Sequence, residues 1–149
     1  MHYADVPRRT RVFKLSDCDQ YLCVPRSVSN YTRRLVKQLA NAEACDYQLP
    51  AEPCALEFLT HFAGDVHQPL HVSYADDRGG NDVIVRFFGE TSNLHRVWDD
   101  NILERWQSDT EHAADELERM LDNDPSLARR YLASADPVVW ANESYSYVL

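Results

Sequence analysis

The segment HFAGDVHQPLH constrains this chain more than any other, because it sets His61 and Asp65 four residues apart just upstream of a proline. On a helix that spacing projects both side chains from one face, where they can meet a single ion. Pro69 ends the helix, and His71 follows beyond the break. The spacing recurs in LHRVWDD, where His95 and Asp99 are again four apart. Two helices therefore each offer an imidazole and a carboxylate from a single turn. At about 100° per residue, His95 and Asp99 fall between Trp98, Ile102, Leu103 and Trp106, inside the apolar face of their helix. A carboxylate in such a place has to be paired or metal-bound, since leaving it bare is costly. One such pair alone reads as a His–Asp hydrogen bond that orders a core. Two pairs plus His71 favour a metal, and imidazole nitrogen with carboxylate oxygen is a usual zinc donor set.

The sequence around these pairs is mostly helical in pattern. SVSNYTRRLVKQLANAE, from Ser27 to about Glu43, puts Val28, Tyr31, Leu35 and Leu39 at helical spacing with Arg and Lys on the other face. A second helix is expected after Pro50 and Pro53, running through CALEFLTHFAGDV with Leu56, Leu59, Phe62, Ala63 and Val66 as its apolar stripe. The first 25 residues read as irregular. YADDRGGND reads as a turn, and VIVRFF after it is the one clear strand, part of a short hairpin. Asn93 is placed to cap a third helix, LHRVWDDNILERW, and helical patterns follow at about 110 to 122, 125 to 133 and 137 to 148. The fold class is mainly α, and residues 1–149 are of a length for a single domain.

Charge and cysteine content narrow the partners. A net charge of −9 leaves no broad basic surface, so any polyanion has to be gripped locally. No stretch approaches the ~20 apolar residues of a membrane span, and MHYADVPRRTRVF lacks the apolar core of a signal peptide. Cys18, Cys23, Cys45 and Cys54 allow three pairings, or four free thiols. Cys18 and Cys23 flank a short loop that a disulfide would close in an oxidising compartment. The sequons at Asn30 and Asn142 lean weakly toward secretion. Of the other histidines, His67 is expected to orient a ligand through a hydrogen bond, and His112 to be exposed. The Asp76–Asn81 loop reads as a hairpin turn whose glycines would also let the backbone approach a ligand closely. Tyr31, Trp106 and Trp140 read as core or surface aromatics.

His2-Tyr3-Ala4-Asp5, FLTHFAGDVHQPLHV, GGN, NLHRVWD and the segment from Trp140 to Ser144 follow one another in this order. The chain resembles, over almost its whole length, the zinc-dependent class I nucleases, the S-one/P-one family. The resemblance implies a helical fold shared with the zinc phospholipases C. It also implies cleavage of single-stranded DNA and RNA to 5′-phosphorylated products, with 3′-nucleotidase activity. Three zinc ions share one cleft in that family. By resemblance, His71, His95 and Asp99 hold one zinc outright. His2, His61 and Asp65 contribute to a second, and Asp65, bridging to a third, is the candidate catalytic carboxylate. Tyr3 and Asp5 match positions that stack on and hydrogen-bond a base, and Asn81 of GGN joins them as a substrate-binding candidate. The family also implies the Cys18 to Cys23 disulfide and a secreted or vacuolar monomer without membrane association.

Relatives supply a tryptophan α-amino group, a histidine and an aspartate before the position of His2, and none of these is matched here. The expectation is therefore the central portion of a class I nuclease domain, with one complete zinc site. Two other functions compete with the nuclease: a phospholipase C-like phosphoesterase and a non-catalytic zinc-binding fragment.

Overall fold

The computed structural model describes residues 2–18, 23–41 and 54–149. Helix α1 (Val24–Ala40) and helix α2 (Ala55–His67) pack on one another. Helix α1 begins three residues before the expected start, because Pro25 sits in its first turn, where its fixed φ suits a helix and its missing N–H is no loss. Glu43, the expected end, lies outside the described residues. Helix α2 stops at His67 because Gln68, which precedes Pro69, is held extended. Phe62 and Val66 of α2 are buried with Val28 of α1, whereas Leu56 and Leu39 are exposed, so each apolar stripe is buried over only part of its length.

Among the described residues four short strands form two small sheets, one sheet more than expected. Strand β1 (Ala4–Val6) pairs in parallel with β2 (Val72–Tyr74), in the register Ala4 to Val72 and Val6 to Tyr74. Neither strand is legible in the sequence, where β1 falls in the irregular first 25 residues and Tyr74 opens the expected turn, since three-residue strands are too short for a periodicity to register. Strands β3 (Ile84–Phe87) and β4 (Glu90–Asn93) make the expected hairpin. Its turn is Phe88-Gly89, both with positive φ as a two-residue hairpin of primed type requires. The Asp76–Asn81 loop is not a hairpin turn. It leads from β2 towards β3.

Asn93 caps the next helical stretch by accepting the Arg96 N–H at 2.8 Å. This stretch, α3, spans residues 94–106 and includes a wide π turn over Val97–Asn101, closed by the Ile102 N–H on the Val97 carbonyl. Trp98, Ile102, Leu103 and Trp106 are all exposed, Leu103 to 54%, so the expectation of a buried apolar face here is overturned. Helices α4 (Thr110–Asn123), α5 (Pro125–Tyr131) and α6 (Pro137–Ser146) each start on an aspartate cap: Asp109, Asp124 and Asp136. The Asp109 and Asp124 carboxyls are held below the usual range. For Asp109 the chief cause is the backbone N–H of His112, and for Asp124 it is the Ser126 side chain.

The core gathers Ala4, Val6, Phe13, Val24, Phe62, Val66, Val72 and Tyr145. Helix α6 ties its parts together. Ser144 Oγ donates to the Val66 carbonyl at 2.7 Å, and Tyr145 Oη to the Thr10 carbonyl at 2.9 Å. Asn142 accepts the Phe13 N–H at 2.9 Å and donates to the Phe13 carbonyl at 3.0 Å. One of the two sequon asparagines is thus engaged inside the fold, while Asn30 is exposed on α1. Cys18 and Cys23 are bonded, with Cα atoms 5.6 Å apart, and Cys54 is also disulfide-bonded, so the reading of four free thiols is set aside. Cys45 lies outside the described residues.

Asn142→Ala leaves the Phe13 backbone pair without partners and is expected to lower stability by about 2 kcal/mol, measured by chemical denaturation. Burial, with Tyr74 adding to it, raises the Tyr145 phenol above its ordinary value of 10.0. The unfolded chain then loses this proton first, so stability is intact below about pH 10 and falls as pH rises through it. Tyr145→Phe is expected to remove this alkaline loss while lowering stability near neutrality, read from denaturation midpoints across pH.

Candidate metal centre

Two groups of three donors stand side by side. His71, His95 and Asp99 form one, and His2, His61 and Asp65 the other; in each group one donor atom per residue lies within 4.8 Å of the others. Helix α3 carries His95 and Asp99 on one turn, helix α2 carries His61 and Asp65 on one turn, and the break at Pro69 turns His71 back toward both. His2 arrives from the residues just before β1, placed by the pairing of β1 with β2.

Backbone carbonyls choose which nitrogen each imidazole presents. His71 Nδ1 lies 2.6 Å from the His2 main-chain oxygen, and His95 Nδ1 lies 2.8 Å from the Gly79 oxygen. A carbonyl only accepts, so both protons sit on Nδ1 and both Nε2 atoms face the same carboxylate. His71 Nε2 is 3.4 Å from Asp99 Oδ1, and His95 Nε2 is 3.3 Å from Asp99 Oδ2. Two imidazole nitrogens and a carboxylate are a usual zinc donor set, and with one donor atom of each within 4.8 Å of the others these residues could hold the ion.

The second group is tighter and more open. His2 Nδ1 is 2.9 Å from Asp65 Oδ2 and 2.8 Å from His61 Nε2, and His61 Nε2 is 3.2 Å from Asp65 Oδ2. Its two histidine side chains are about half exposed, whereas those of His71 and His95 are largely enclosed. Asp65 joins the groups, its other oxygen lying 3.6 Å from His71 Nδ1. The second group, expected to be the incomplete one, thus brings three side-chain donors together.

A cleft of 360 Å³ is lined by His71, His95 and Asp99 and, from the second group, by His2, and Tyr3, Asp5 and Asn81 line it too. Tyr3 is 53% exposed, and Asp5 is exposed on β1. Asn81 donates its amide to the Arg78 carbonyl at 2.9 Å.

A model of the family described as S1/P1 Nuclease matches residues 1–149. The chain belongs to the S1/P1 nuclease family. It is 38% identical to Endonuclease 2 of Arabidopsis thaliana, over 82% of this chain and 42% of that protein. It is 40% identical to Endonuclease 3 of the same plant, over 70% of this chain and 35% of that protein. With Nuclease S1 of Aspergillus oryzae it shares 39% identity over 59% of this chain and 28% of that protein. The chain thus spans less than half the length of these relatives.

The expectation for His67 is overturned. Its Nδ1 meets the Ala63 carbonyl of its own helix at 2.6 Å, and its ring lies against Trp140, away from both groups. His112 is exposed as expected. Sequence reasoning missed Gln68, which donates to Asp99 Oδ1 at 2.7 Å. The QP pair in HQPLH was the available signal, because a residue held extended before proline cannot continue the helix face and turns its side chain aside.

Sequence reasoning also missed the route that holds Gly79. Arg8 bonds Asp76 at 2.7 Å and Asp77 at 2.9 Å, with its guanidinium 4.3 Å over the Tyr74 ring. Asp77 in turn accepts the Gly80 N–H at 2.8 Å. The hydrogen bond from Arg8 is also what lowers the Asp76 carboxyl below its usual range. Gly79 has φ +62°, and a Cβ there would stand 2.5 Å from the Leu70 carbonyl oxygen. Its carbonyl steers His95, so Gly79→Ala is expected to shift that imidazole and weaken zinc binding about 10- to 100-fold. Competition with a chromogenic chelator measures this.

Proposed function

We propose that this chain is a zinc-dependent nuclease that hydrolyses phosphodiester bonds of single-stranded DNA and RNA to 5′-phosphorylated products, with 3′-nucleotidase activity. The observation that carries this reading is a cleft that His71, His95 and Asp99 line together with His2 of the adjoining group, Tyr3 and Asp5. His71, His95 and Asp99 would hold one zinc, and His2, His61 and Asp65 would contribute to another. Zinc bound there supplies positive charge for the phosphate oxygens and the Lewis acidity that makes water nucleophilic near neutral pH.

The side chains do the rest. Tyr3, exposed at the cleft, stacks on one base, and Asp5 accepts hydrogen bonds from that base's edge. A base within a duplex cannot reach such a position, which selects single strands. Asp65 keeps the two groups in register and is the carboxylate placed to orient the attacking water. Asn81 contacts the phosphate or sugar beside it. Gln68 and the Gly79 carbonyl hold Asp99 and His95 in place. The protein acts as a monomer in a secretory compartment, consistent with the Cys18–Cys23 disulfide.

Cleavage of a single-stranded oligonucleotide, with mass spectrometry of the product ends, tests the reading. The zinc-loaded chain is expected to leave 5′-phosphates, to spare the duplex, and to hold fewer than three zinc ions by elemental analysis. His95→Ala is expected to lower kcat/KM at least about 100-fold and to release one zinc equivalent. Hydrolysis of phosphatidylcholine in preference to the oligonucleotide would replace this reading with the phosphoesterase one. Zinc binding without any turnover would leave a non-catalytic metal-binding chain.

A further inference from the structure

The basic face of α1 lies outside the donor groups. Val24–Ala40 carries Arg26, Arg33, Arg34 and Lys37 and none of the chain's 24 acidic residues, in a chain of net charge −9. At about 100° per residue these cations and Asn30 occupy one sector of roughly 100°, opposite the core-facing Val24 and Val28. Arg33, Arg34 and Lys37 are exposed, and the ion pairs among the described residues include none of them. With Asn30 and Tyr31 they line a groove of 440 Å³. Like charges on adjacent turns repel one another, and a polyanion laid along them relieves that repulsion.

Ring contacts connect this face to the cleft. The Arg34 guanidinium lies 5.2 Å over the Tyr31 ring. Tyr31 stacks on Phe58 at 5.1 Å and stands 5.3 Å from Phe62, whose ring is 5.4 Å from His2. Tyr31 and Phe58 are partly open to solvent, as is Tyr3 next to His2. Cations that follow a backbone, interleaved with rings on which bases stack, are what single-stranded nucleic acid needs.

We infer that the Arg33–Arg34–Lys37 face of α1 is a backbone track for a single strand whose scissile bond lies in the cleft. This rests on the nuclease reading and goes beyond it by making affinity depend on strand length. Three phosphates neutralised on a single strand contribute about 2 to the slope of log affinity against log salt.

The test is salt titration of binding to the zinc-loaded chain, using phosphorothioate-linked oligothymidylates, a dinucleotide and a strand of about twenty nucleotides. The variant Arg33→Gln/Arg34→Gln/Lys37→Gln is expected to bind the long strand about tenfold more weakly at low salt, with the slope reduced by about 2. Dinucleotide binding is expected to stay unchanged. An Arg129→Gln/Arg130→Gln control on α5 should keep both. Should the triple variant melt below the wild type, the singles Arg34→Gln and Lys37→Gln replace it, each expected to cost about 0.7 in slope. Equal long-strand binding by wild type and variant, or an equal loss in the α5 control, overturns the track. Turnover of 3′-nucleotides, measured alongside, separates the two readings. Absent turnover with the slope difference intact counts against the nuclease and leaves the track, and retained turnover without a slope difference does the reverse.

Discussion

The hydrogen bond between His71 Nδ1 and the main-chain oxygen of His2 is the contact on which the rest of the site depends. It lies just before the parallel pairing of β1 with β2 and joins segments nearly seventy residues apart. It also fixes a proton. With Nδ1 committed to a carbonyl, His71 can offer only Nε2, and Nε2 faces Asp99. The same contact holds His2 beside His61 and Asp65, so one short strand pairing assembles both donor groups. Removing it would cost the first group an orientation and the second a ligand.

Such a contact needs rigid support, because a metal site tolerates little drift in its donors. Helix α6 supplies that support from behind. Ser144 holds the end of α2 through the Val66 carbonyl, next to Asp65, while Tyr145 and Asn142 hold the segment that follows β1. Arg8 performs the equivalent task at the front, where Asp76 and Asp77 pin the glycine loop whose carbonyl steers His95. The polar side chains of α6 are satisfied by these partners, so they add specificity to a core formed by a few aliphatic and aromatic residues.

The charge distribution has a related logic. A strongly acidic chain repels polyanions at long range, so binding one calls for local positive charge. Two features of this chain would offer such charge: the imidazole and carboxylate groups, once they hold cations, and the basic face of α1. Tyr31, Phe58 and Phe62 lie between them and belong to the same packing that holds α1 against α2. The helix pair that buries the core therefore also sets the distance between basic face and cleft.

Periodicity made α1, α2 and the helices after residue 93 legible. The four-residue spacing of His61 with Asp65 and of His95 with Asp99 is a local property of any helix, so these pairs could be read without a structure. The burial of α3 could not. An apolar face becomes a core only if something packs on it, and Trp98, Ile102 and Leu103 remain exposed among the described residues. His67 was misassigned for a similar reason: being near ligands in sequence does not turn a side chain toward them. The sequence by itself determined which residues can bind a metal and that they come in same-turn pairs, because helical geometry is local. Only the tertiary structure decided that His2 lies against His61 and Asp65, that Gln68 and two backbone carbonyls orient the donors, and that His2 lines the same cleft as His71, His95 and Asp99. Those contacts cross the chain through β1, β2 and α6, and long-range pairing leaves no periodic trace in sequence.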